Sequence, residues 1–451
     1  MTISNKKEAV LLFVGDAFFY FLSLWFALFL RAGGEVPGLE LYTIHLVPFS
    51  ILFALWYVVY YIAGLYEKHT LIITSQLPSV IFNAQIVNSV IAVVFFYAFP
   101  QFGITPKTIL LIFVVVSFIL GVFWRVYGVK VFGSGIKERA LLIGSGTEMK
   151  ELFEEVNHKG RYAVEFVSSI DVNDVADVNV QEDIVQVIYK NDVKLVAIEF
   201  SNDKVRPLLP HLYNLMYSKV RFIDSHKIYE DVFNRIPLSL VTYSWFLENI
   251  SVSPKFTYDF LKRVFDVVLS FILGLISLVV YPFVMVAIKL DDAGKYFIFQ
   301  ERVGHNNKLV RIIKFRTMSV DDSGEGVGTE RKMKVTRVGR ILRATRIDEL
   351  PQLWNVFFGD ISLIGPRPEL PNLVKLYEKE ISFYNVRHLI KPGLSGWAQL
   401  YQKDPPKFGT DYDQTKAKLS YDLFYIKNRS FWLDIKIALK TVKTLLSRSG
   451  V

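Results

Sequence analysis

The sequence predicts an α/β membrane protein in three parts. These are an N-terminal four-helix transmembrane bundle (1–132), a middle α/β domain (137–250) and a C-terminal α/β domain with a re-entrant membrane helix (255–451). Three observations lead to this prediction. The chain of 451 residues is 52% hydrophobic, which is too apolar for an ordinary soluble protein. Four apolar segments near its start are each long enough to cross a bilayer. Beyond Arg139, short apolar runs alternate with polar stretches, as in α/β domains.

Charge and cysteine content narrow the classes of function. The formal charge is +9 and there is no cysteine. On so apolar a chain, lysine and arginine mark cytoplasmic loops and anionic lipid surfaces, so we expect a lipid bilayer and no nucleic acid as partner. Disulfides and thiolate metal sites are excluded. Lys6 and Lys7 precede an apolar run that continues to Leu30 without a small-residue cleavage site, which predicts a first membrane helix and not a secretory signal.

The four apolar segments lie near residues 8–30, 42–65, 80–99 and 108–129. Positive charge is concentrated at one set of their ends, at Lys6, Lys7, Lys68, Lys130, Lys137 and Arg139. The other two loops, 33–40 and 100–107, carry little positive charge. Positive residues favour the cytoplasmic side, so both ends of the bundle are predicted to be cytoplasmic.

The middle domain contains the runs ALLIGSG (140–146), LVAIEF (195–200) and VRFID (220–224), which predict a parallel sheet. The GSG turn after a strand suggests a Rossmann-like dinucleotide site. However, Met149 occupies the place of the third glycine. Cofactor binding and a regulatory or structural role therefore both remain open for this domain.

A fifth hydrophobic stretch, Val267–Ile288, is interrupted by Pro282. Proline removes a helical hydrogen bond and disfavours helical backbone at Tyr281. The residues between Asp266 and Pro282 would rise only about 22 Å, short of a full crossing. Positive charge lies at both ends of the stretch, at Lys262, Arg263 and Lys289. These features predict a re-entrant helix over 262–290 that is broken at Pro282, with a spanning helix that tolerates the proline as the alternative.

An adjacent acid pair, Asp348 and Glu349, precedes Arg367, which lies between two prolines. Acids and an arginine this close in sequence suggest phosphate chemistry with a divalent cation. Thr345 and Asp348 also fit a helix capping box, which is the structural alternative. Arg367 has an alternative partner in Glu369.

Lys314 and Arg316 lie two residues apart in an isoleucine-rich, strand-like run. They should therefore project from one face, where both are available to an anion. A solvated strand edge is the alternative for both.

Six motifs occur in one order: KRVFDVVLS (262–270), QERVG (300–304), IIKFRTM (312–318), DELPQLWNV (348–356), GDISLIGPRPE (359–369) and KPGLSGWAQL (391–400). Together they resemble the bacterial polyprenyl-phosphate glycosyl-1-phosphate transferases, over roughly 255–432. The four apolar segments and the middle domain resemble the large, multidomain branch of that family. Members usually have serine where Tyr281 stands, and Lys-Thr-Ser-Leu where residues 344–347 are Ala-Thr-Arg-Ile.

The resemblance implies an enzyme of the bacterial inner membrane whose catalytic domain faces the cytoplasm. It would transfer a sugar-1-phosphate from a nucleotide diphosphate sugar, with a UDP-sugar as the expected donor, to polyprenyl (undecaprenyl) phosphate, and so initiate exopolysaccharide, capsule or O-antigen synthesis. Asp348 would be the nucleophile that forms an aspartyl phosphosugar. Asp348 and Glu349 would hold Mg²⁺, or Mn²⁺ in its place.

The resemblance also assigns roles to residues around the acid pair. The phosphate-binding residues would be Arg302, Lys314, Arg316, Arg367 and Arg387. The supporting residues would be Glu369, Gln352, Gln399 and Trp397, with the tryptophan at the lipid interface.

Two other functions remain as alternatives: a membrane sensor or scaffold with a dinucleotide-binding domain, and a polysaccharide export component. The export function is disfavoured because segments 1 to 4 contain almost no interior charge. At the C-terminus an apolar helical stripe is flanked by lysines, so it either lies in the membrane surface or packs on the domain. The stripe consists of Phe431, Ile435, Leu439, Val442 and Leu446. The sequence leaves the sugar and homo-oligomerisation open.

Overall fold

The computed structural model describes residues 6–66, 77–102, 107–128, 137–158, 162, 164–173, 180–200, 202–215, 220–250, 255–292, 294–319, 335–402 and 411–447. The chain divides into two compact units, Met1–Val232 and Phe233–Val451. Lys68, Lys130 and the loop 320–330 lie outside the described residues.

The first unit begins with the predicted four apolar helices. They are α1 (Lys6–Arg31), α2 (Leu39–Ile62), α3 (Leu77–Ala98) and α4 (Lys107–Phe123), the last followed by a π-helical turn, Trp124–Gly128. All four are long and apolar enough to cross a membrane. Their shared core includes the buried side chains of Leu24, Phe49, Trp56 and Phe113. The four-helix prediction is confirmed.

Two charges of segments 8–30 and 108–129 form a buried ion pair in the bundle interior, which corrects the expectation that these segments contain almost no interior charge. Arg125, in the π-helical turn, pairs with Asp16 of α1, and Tyr66 donates a hydrogen bond to the same carboxylate. Arg125 also donates to the carbonyl of Leu65. Because both charges are paired inside apolar surroundings, this cluster joins three segments of the bundle.

The rest of the first unit is a four-stranded parallel sheet of order β2-β1-β3-β4, which confirms the predicted parallel sheet. Its strands are β1 (Glu138–Gly144), β2 (Val164–Asp171), β3 (Leu195–Ile198) and β4 (Arg221–Asp224). The helices are α5 (Thr147–His158), α6 (Val180–Lys190), α7 (Leu209–Asn214) and α8 (Ser225–Phe233).

The glycine turn after β1 is occupied by a side chain of the protein. The carboxylate of Glu199 accepts a hydrogen bond of 3.0 Å from the backbone N–H of Ser145. Asn202 donates to the same oxygen from 3.3 Å. In a dinucleotide-binding domain, a backbone N–H at this turn would bind the pyrophosphate. Here the N–H of Ser145 already donates to the carboxylate of Glu199. This contact disfavours the dinucleotide-binding alternative at this turn.

The second unit begins earlier than the predicted boundary near residue 250. The N–H of Ile236 donates to the carbonyl of Ser420 (3.1 Å), and the indole of Trp397 donates to that of Asn234 (2.8 Å). The segment from Phe233 to α9 (Tyr243–Asn249) therefore packs on the C-terminal unit. Ile236 and Val241 of this segment are buried against partners far away in sequence, which local patterns do not reveal.

The hydrophobic stretch forms two helices, α10 (Phe256–Leu278) and α11 (Tyr281–Asp291), bent by 55° at a short break. Pro282 lies in the first turn of α11. Backbone N–H groups have no helical partner in a first turn, so the N–H that proline lacks is not needed there. Near one end, Lys262 donates to the carbonyl of Ile364 (2.9 Å). At the other end, Asp291 accepts from the N–H of Val338 (2.8 Å). Both ends of the bent pair are thus anchored on the same unit.

The remainder of the unit is mixed α/β. Its strands are β5 (Phe297–Val303), β6 (Leu309–Phe315), β7 (Ser362–Ile364) and β8 (Gly393–Ser395). β5 pairs antiparallel with β6, and β7 pairs parallel with β8. The helices are α12 (Arg337–Thr345), α13 (Gln352–Phe358), α14 (Pro371–Glu380), α15 (Trp397–Tyr401), α16 (Tyr412–Asn428) and α17 (Phe431–Ser447).

The C-terminal helix α17 packs on this unit. Asp434 and Ile437 are buried, and Thr441 is hydrogen-bonded to Ser395 over 2.6 Å. Trp432 and Val442 remain exposed. The helix therefore packs on the domain, but through a face that differs from the predicted apolar stripe: Phe431, Ile435 and Leu439 are only partly buried and Val442 is exposed. The side chain of Leu446 lies outside the described residues.

Candidate active site

A cavity of about 630 Å³ contains the acid pair. Six cationic side chains line it: Arg302, Lys314, Arg340, Arg343, Arg346 and Arg367. Two carboxylates line it as well, those of Asp348 and Glu349. Strongly positive surroundings of this kind attract phosphate anions.

The backbone around the acid pair is held by a left-handed residue. Arg346 has φ +58° and ends α12, and the turn Ile347–Glu349 that follows is a short 3₁₀ helix. A positive φ is unfavourable for a residue with a side chain. The hydroxyl of Thr345 donates back to the carbonyl of Ile341 (2.8 Å), so the threonine does not form the capping box that the sequence allowed.

The two neighbouring acids are in different environments. Asp348 is only 8% exposed, and its Oδ1 has no hydrogen-bond partner among the described residues. Burial, and then the charge of Glu349, raises the pKa of Asp348 to about 6. At neutral pH the carboxyl group of Asp348 is therefore ionised in most molecules. Its Oδ1 is left free to react.

Glu349 is held as a paired anion. Its Oε1 accepts from Arg367 at 2.8 Å and lies 3.4 Å from Nη1 of Arg346. Burial alone would raise the pKa of Glu349, but the charges of Arg367, Arg346 and Lys314 outweigh it and lower that pKa. Two carboxylates whose pKa values are moved in opposite directions suit different tasks.

Gln300 holds two of the cations on the β5–β6 hairpin. Its Oε1 accepts from Nζ of Lys314 (3.0 Å) and from Nη2 of Arg302 (2.7 Å). Burial, together with the charge of Arg302, lowers the pKa of Lys314 to about 8. The amine of Lys314 is therefore still mostly protonated at neutral pH, which lies about one unit below its pKa.

Arg387 supports the site from behind and does not line the cavity. Its Nη2 donates to the carbonyl of Arg367 (3.0 Å) and pairs with Asp422 (2.9 Å). Arg302 donates to the next carbonyl, that of Pro368 (3.2 Å). Two guanidinium groups thus fix the backbone of the proline-flanked arginine. The expected contact of Arg387 with a phosphate is not available in this arrangement because its side chain is buried in the unit.

Glu369 is likewise outside the cavity lining. It pairs with Lys418 and lies 3.6 Å from Arg387. Burial opposes ionisation, but these two cations outweigh it and lower the pKa of Glu369 to about 2. The alternative pairing of Arg367 with Glu369 is not the one observed, since Arg367 pairs with Glu349.

Arg316 is not brought to the cavity. Its Nη2 donates to the carbonyl of Asp292 (2.8 Å) and pairs with the carboxylate of the same residue (3.2 Å). Strand β6 ends at Phe315, so the alternation that would place Arg316 beside Lys314 stops one residue too early.

The three remaining supporting residues lie at different places. Gln352 lines the cavity, whereas Gln399 donates to the carbonyl of Leu394, a lining residue, over 3.4 Å. Trp397 is 1% exposed and stacks on Phe424. The expectation of a lipid-interface position for Trp397 is wrong because the ring fills the domain core.

The sequence interpretation missed Arg340 and Arg343 of α12. Their i, i+3 spacing directly before the acid pair was an available signal, since such residues share a helix face. Gly339 lets this helix approach the end of β6, because an added Cβ would lie 2.1 Å from the carbonyl oxygen of Thr317.

The Bacterial sugar transferase family model matches residues 257–448. A UDP-N-acetylgalactosamine-undecaprenyl-phosphate N-acetylgalactosaminephosphotransferase of Aeromonas hydrophila is 42% identical over 44% of this chain and 47% of its own length. A UDP-glucose:undecaprenyl-phosphate glucose-1-phosphate transferase of Klebsiella pneumoniae is 37% identical over 42% and 41%. The match thus spans less than half the length of these two relatives. An uncharacterized sugar transferase, EpsL, of Bacillus subtilis is 36% identical over 42% of this chain and 90% of its own length.

Proposed function

Because the chain belongs to the bacterial sugar transferase family, we propose that it transfers a sugar-1-phosphate from a UDP-sugar to undecaprenyl phosphate. The relatives from Aeromonas and Klebsiella carry these substrates in their names. The observation that supports the proposal most strongly is the pair of adjacent acids with divergent pKa values inside a cavity lined by six cations. Both substrates are phosphate anions, which such a cavity attracts.

The reaction proceeds in two displacements. A carboxylate oxygen of Asp348 attacks the phosphorus that bears the sugar, and the bond from this phosphorus to the bridging oxygen breaks. The electron pair leaves with uridine monophosphate, and an aspartyl phosphosugar remains. A phosphate oxygen of the lipid then attacks the same phosphorus. The bond to Asp348 breaks, the carboxylate is regenerated, and a lipid diphosphosugar is released.

The cations of the cavity act on the charge that develops during both displacements. Lys314 and Arg302, held together by Gln300, and Arg367, held by Glu349, stabilise the diphosphate oxygens. Their anchoring contacts exist without substrate, so little reorganisation is needed when it binds.

Magnesium fits the residues that are present. Within the described ranges, no group of three or more His, Cys, Asp or Glu side chains is arranged around a metal position. Mg²⁺ commonly takes one or two carboxylates and completes its shell with water and substrate phosphates. Asp348, with its unpartnered Oδ1, and Glu349 would supply the protein ligands, with Mn²⁺ as a substitute. The ion would neutralise charge on the diphosphate.

The proposed reaction calls for a location in the inner membrane with the unit Phe233–Val451 on the cytoplasmic face, because nucleotide sugars are made in the cytoplasm. Helices α10 and α11 have 23 and 11 residues and a 55° bend. If their outer ends lie level, the apex is only about 10 Å away from the line that joins them. That depth is less than half of an apolar core of about 30 Å. A bend of this kind fits a re-entrant pair and a broken span alike. The anchoring of both outer ends on the same unit supports the re-entrant pair, whose exposed apolar side chains would face lipid.

The test is an incubation of the purified protein with undecaprenyl phosphate, Mg²⁺ and a panel of UDP-sugars. We expect uridine monophosphate and a lipid diphosphosugar in equal amounts with at least one sugar. The product would then start a surface polysaccharide. A lipid product without monophosphate release, or neither product with any nucleotide sugar, would refute the proposed reaction.

A further inference from the structure

The charge in the cavity exceeds what the sugar donor needs. Six cations face two carboxylates, which leaves an excess of four positive charges. A nucleotide diphosphate sugar carries about two negative charges, and a phosphate monoester about two more. The cavity thus has enough charge for a second phosphate group.

The cations fall into two sets according to what anchors them. Arg302, Lys314 and Arg367 are tied to Gln300 and Glu349. The second set lies on α12, where Nε of Arg343 donates to the hydroxyl of Thr317 (2.8 Å). The exposed guanidinium of Arg340 forms no hydrogen bond or ion pair within the described part of the chain.

Helix α12 forms one wall of the cavity, and this wall adjoins helix α11 of the bent pair. Leu342 of this helix packs with Val284 and Ile288 of α11 in one buried cluster. Outward from that cluster, α11 exposes large apolar side chains, among them Phe283 (72%) and Leu290 (83%). A lipid that lies along α11 can therefore bring its phosphate to α12 while its chain remains in the membrane.

From these contacts, and resting on the proposed function, we infer that Arg340 and Arg343 bind the phosphate of the polyprenyl acceptor. Arg302, Lys314 and Arg367 bind the diphosphate of the donor. Arg340 is the more informative of the α12 arginines because no contact within the described residues competes for its guanidinium.

The inference is tested with Arg340→Gln, measured in detergent micelles with varied undecaprenyl phosphate. Loss of a charge-assisted hydrogen bond corresponds to about a tenfold effect or more. We therefore expect KM for the lipid to rise about tenfold or more, and KM for the UDP-sugar to change less than about twofold. Arg337→Gln is the matched control: it removes a charge from the same helix at a position that does not line the cavity, so both KM values should stay unchanged. A raised KM for the UDP-sugar, or an unchanged KM for the lipid, would overturn the inference.

A second measurement does not depend on turnover. The chain has no cysteine, so Ala344→Cys introduces a single thiol for labelling at a lining position of α12 and leaves Arg340 and Arg343 in place. Undecaprenyl phosphate should slow labelling of the thiol, whereas undecaprenol, inorganic phosphate and the UDP-sugar should not. Equal protection by inorganic phosphate would show a site for free phosphate, and protection by undecaprenol would show a site for the chain alone; either result contradicts a lipid-phosphate site. Failure of the proposed function is recognised separately, because the unmodified protein would then show no transfer at all.

Discussion

Nη2 of Arg367 lies 2.8 Å from Oε1 of Glu349 and donates a hydrogen bond to it. This contact gives the adjacent acids different properties. Glu349 is held as a paired anion, while Asp348 keeps an unpartnered oxygen and a raised pKa. The carbonyl of Arg367 is in turn fixed by Arg387. The backbone of the arginine is therefore preset before any substrate enters.

We predict that Arg367→Gln lowers kcat/KM by about a hundredfold or more, because one preorganised cation is lost and Glu349 loses its closest partner. Arg367→Lys should recover only part of the activity, since an ammonium cannot contact Glu349 and a phosphate as a planar fork does. Steady-state kinetics with saturating lipid will measure both variants. Full activity in Arg367→Lys would show that only the charge matters.

The pH dependence follows from two groups. Below the pKa of Asp348, about 6, the carboxyl is protonated and cannot attack; above the pKa of Lys314, about 8, the amine is neutral and cannot stabilise phosphate. We predict a bell-shaped kcat/KM for the UDP-sugar with limbs near these values.

Lys314→Arg is the diagnostic variant for the alkaline limb. Arginine stays protonated above pH 8, so the loss of activity at high pH should disappear while the acid limb remains. The assignment of Lys314 fails if the alkaline limb of this variant is unchanged.

Gly393 allows strands β7 and β8 to approach next to the proline-flanked arginine. An added Cβ would lie 2.1 Å from the backbone nitrogen of Gly365. We predict that Gly393→Ala lowers the free energy of unfolding by about 1–3 kcal/mol and reduces activity, because backbone must move. Gly121→Ala is the control, since nothing lies within 4 Å of its added Cβ. Thermal unfolding in detergent will compare the two; equal midpoints would contradict the close packing of these strands.

Membrane topology is tested with single cysteines at the exposed positions Lys255 and Lys295, on either side of the bent helices. A re-entrant pair predicts that an impermeant thiol reagent labels both positions in inverted vesicles and neither in right-side-out vesicles. Labelling of the two positions from opposite sides would establish a spanning helix.

Pro282→Leu tests the origin of the bend. It restores a backbone N–H and should favour a straight helix, which would move position 295 to the other side and lower activity. Unchanged labelling and turnover would show that the proline does not determine the break.

Local patterns in the sequence were sufficient for several features. Four long apolar segments predicted α1–α4 because only membrane helices need such length. Buried strands such as β1 and β3 were visible as short apolar runs. Pro282 marked the break between α10 and α11 because proline constrains the backbone wherever it occurs.

Features that depend on distant contacts were not predictable in the same way. Alternation along β6 could not show that the strand ends before Arg316. A tryptophan suits both the membrane interface and a protein core. The two locations are distinguished by the contacts of Trp397, which donates to the carbonyl of Asn234 and stacks on Phe424. Similarly, Arg387 is distinguished from a phosphate ligand by its burial and by its distant partners, Asp422 among them.

The central claim is that Asp348 bears the phosphosugar between two half reactions. Intact-protein mass spectrometry after incubation with the UDP-sugar, without lipid, tests it most directly. We predict an adduct with the mass of one phosphosugar that maps to Asp348, is absent in Asp348→Asn and disappears when undecaprenyl phosphate is added. An adduct on another residue, or lipid-dependent transfer that continues in Asp348→Asn, would contradict the claim.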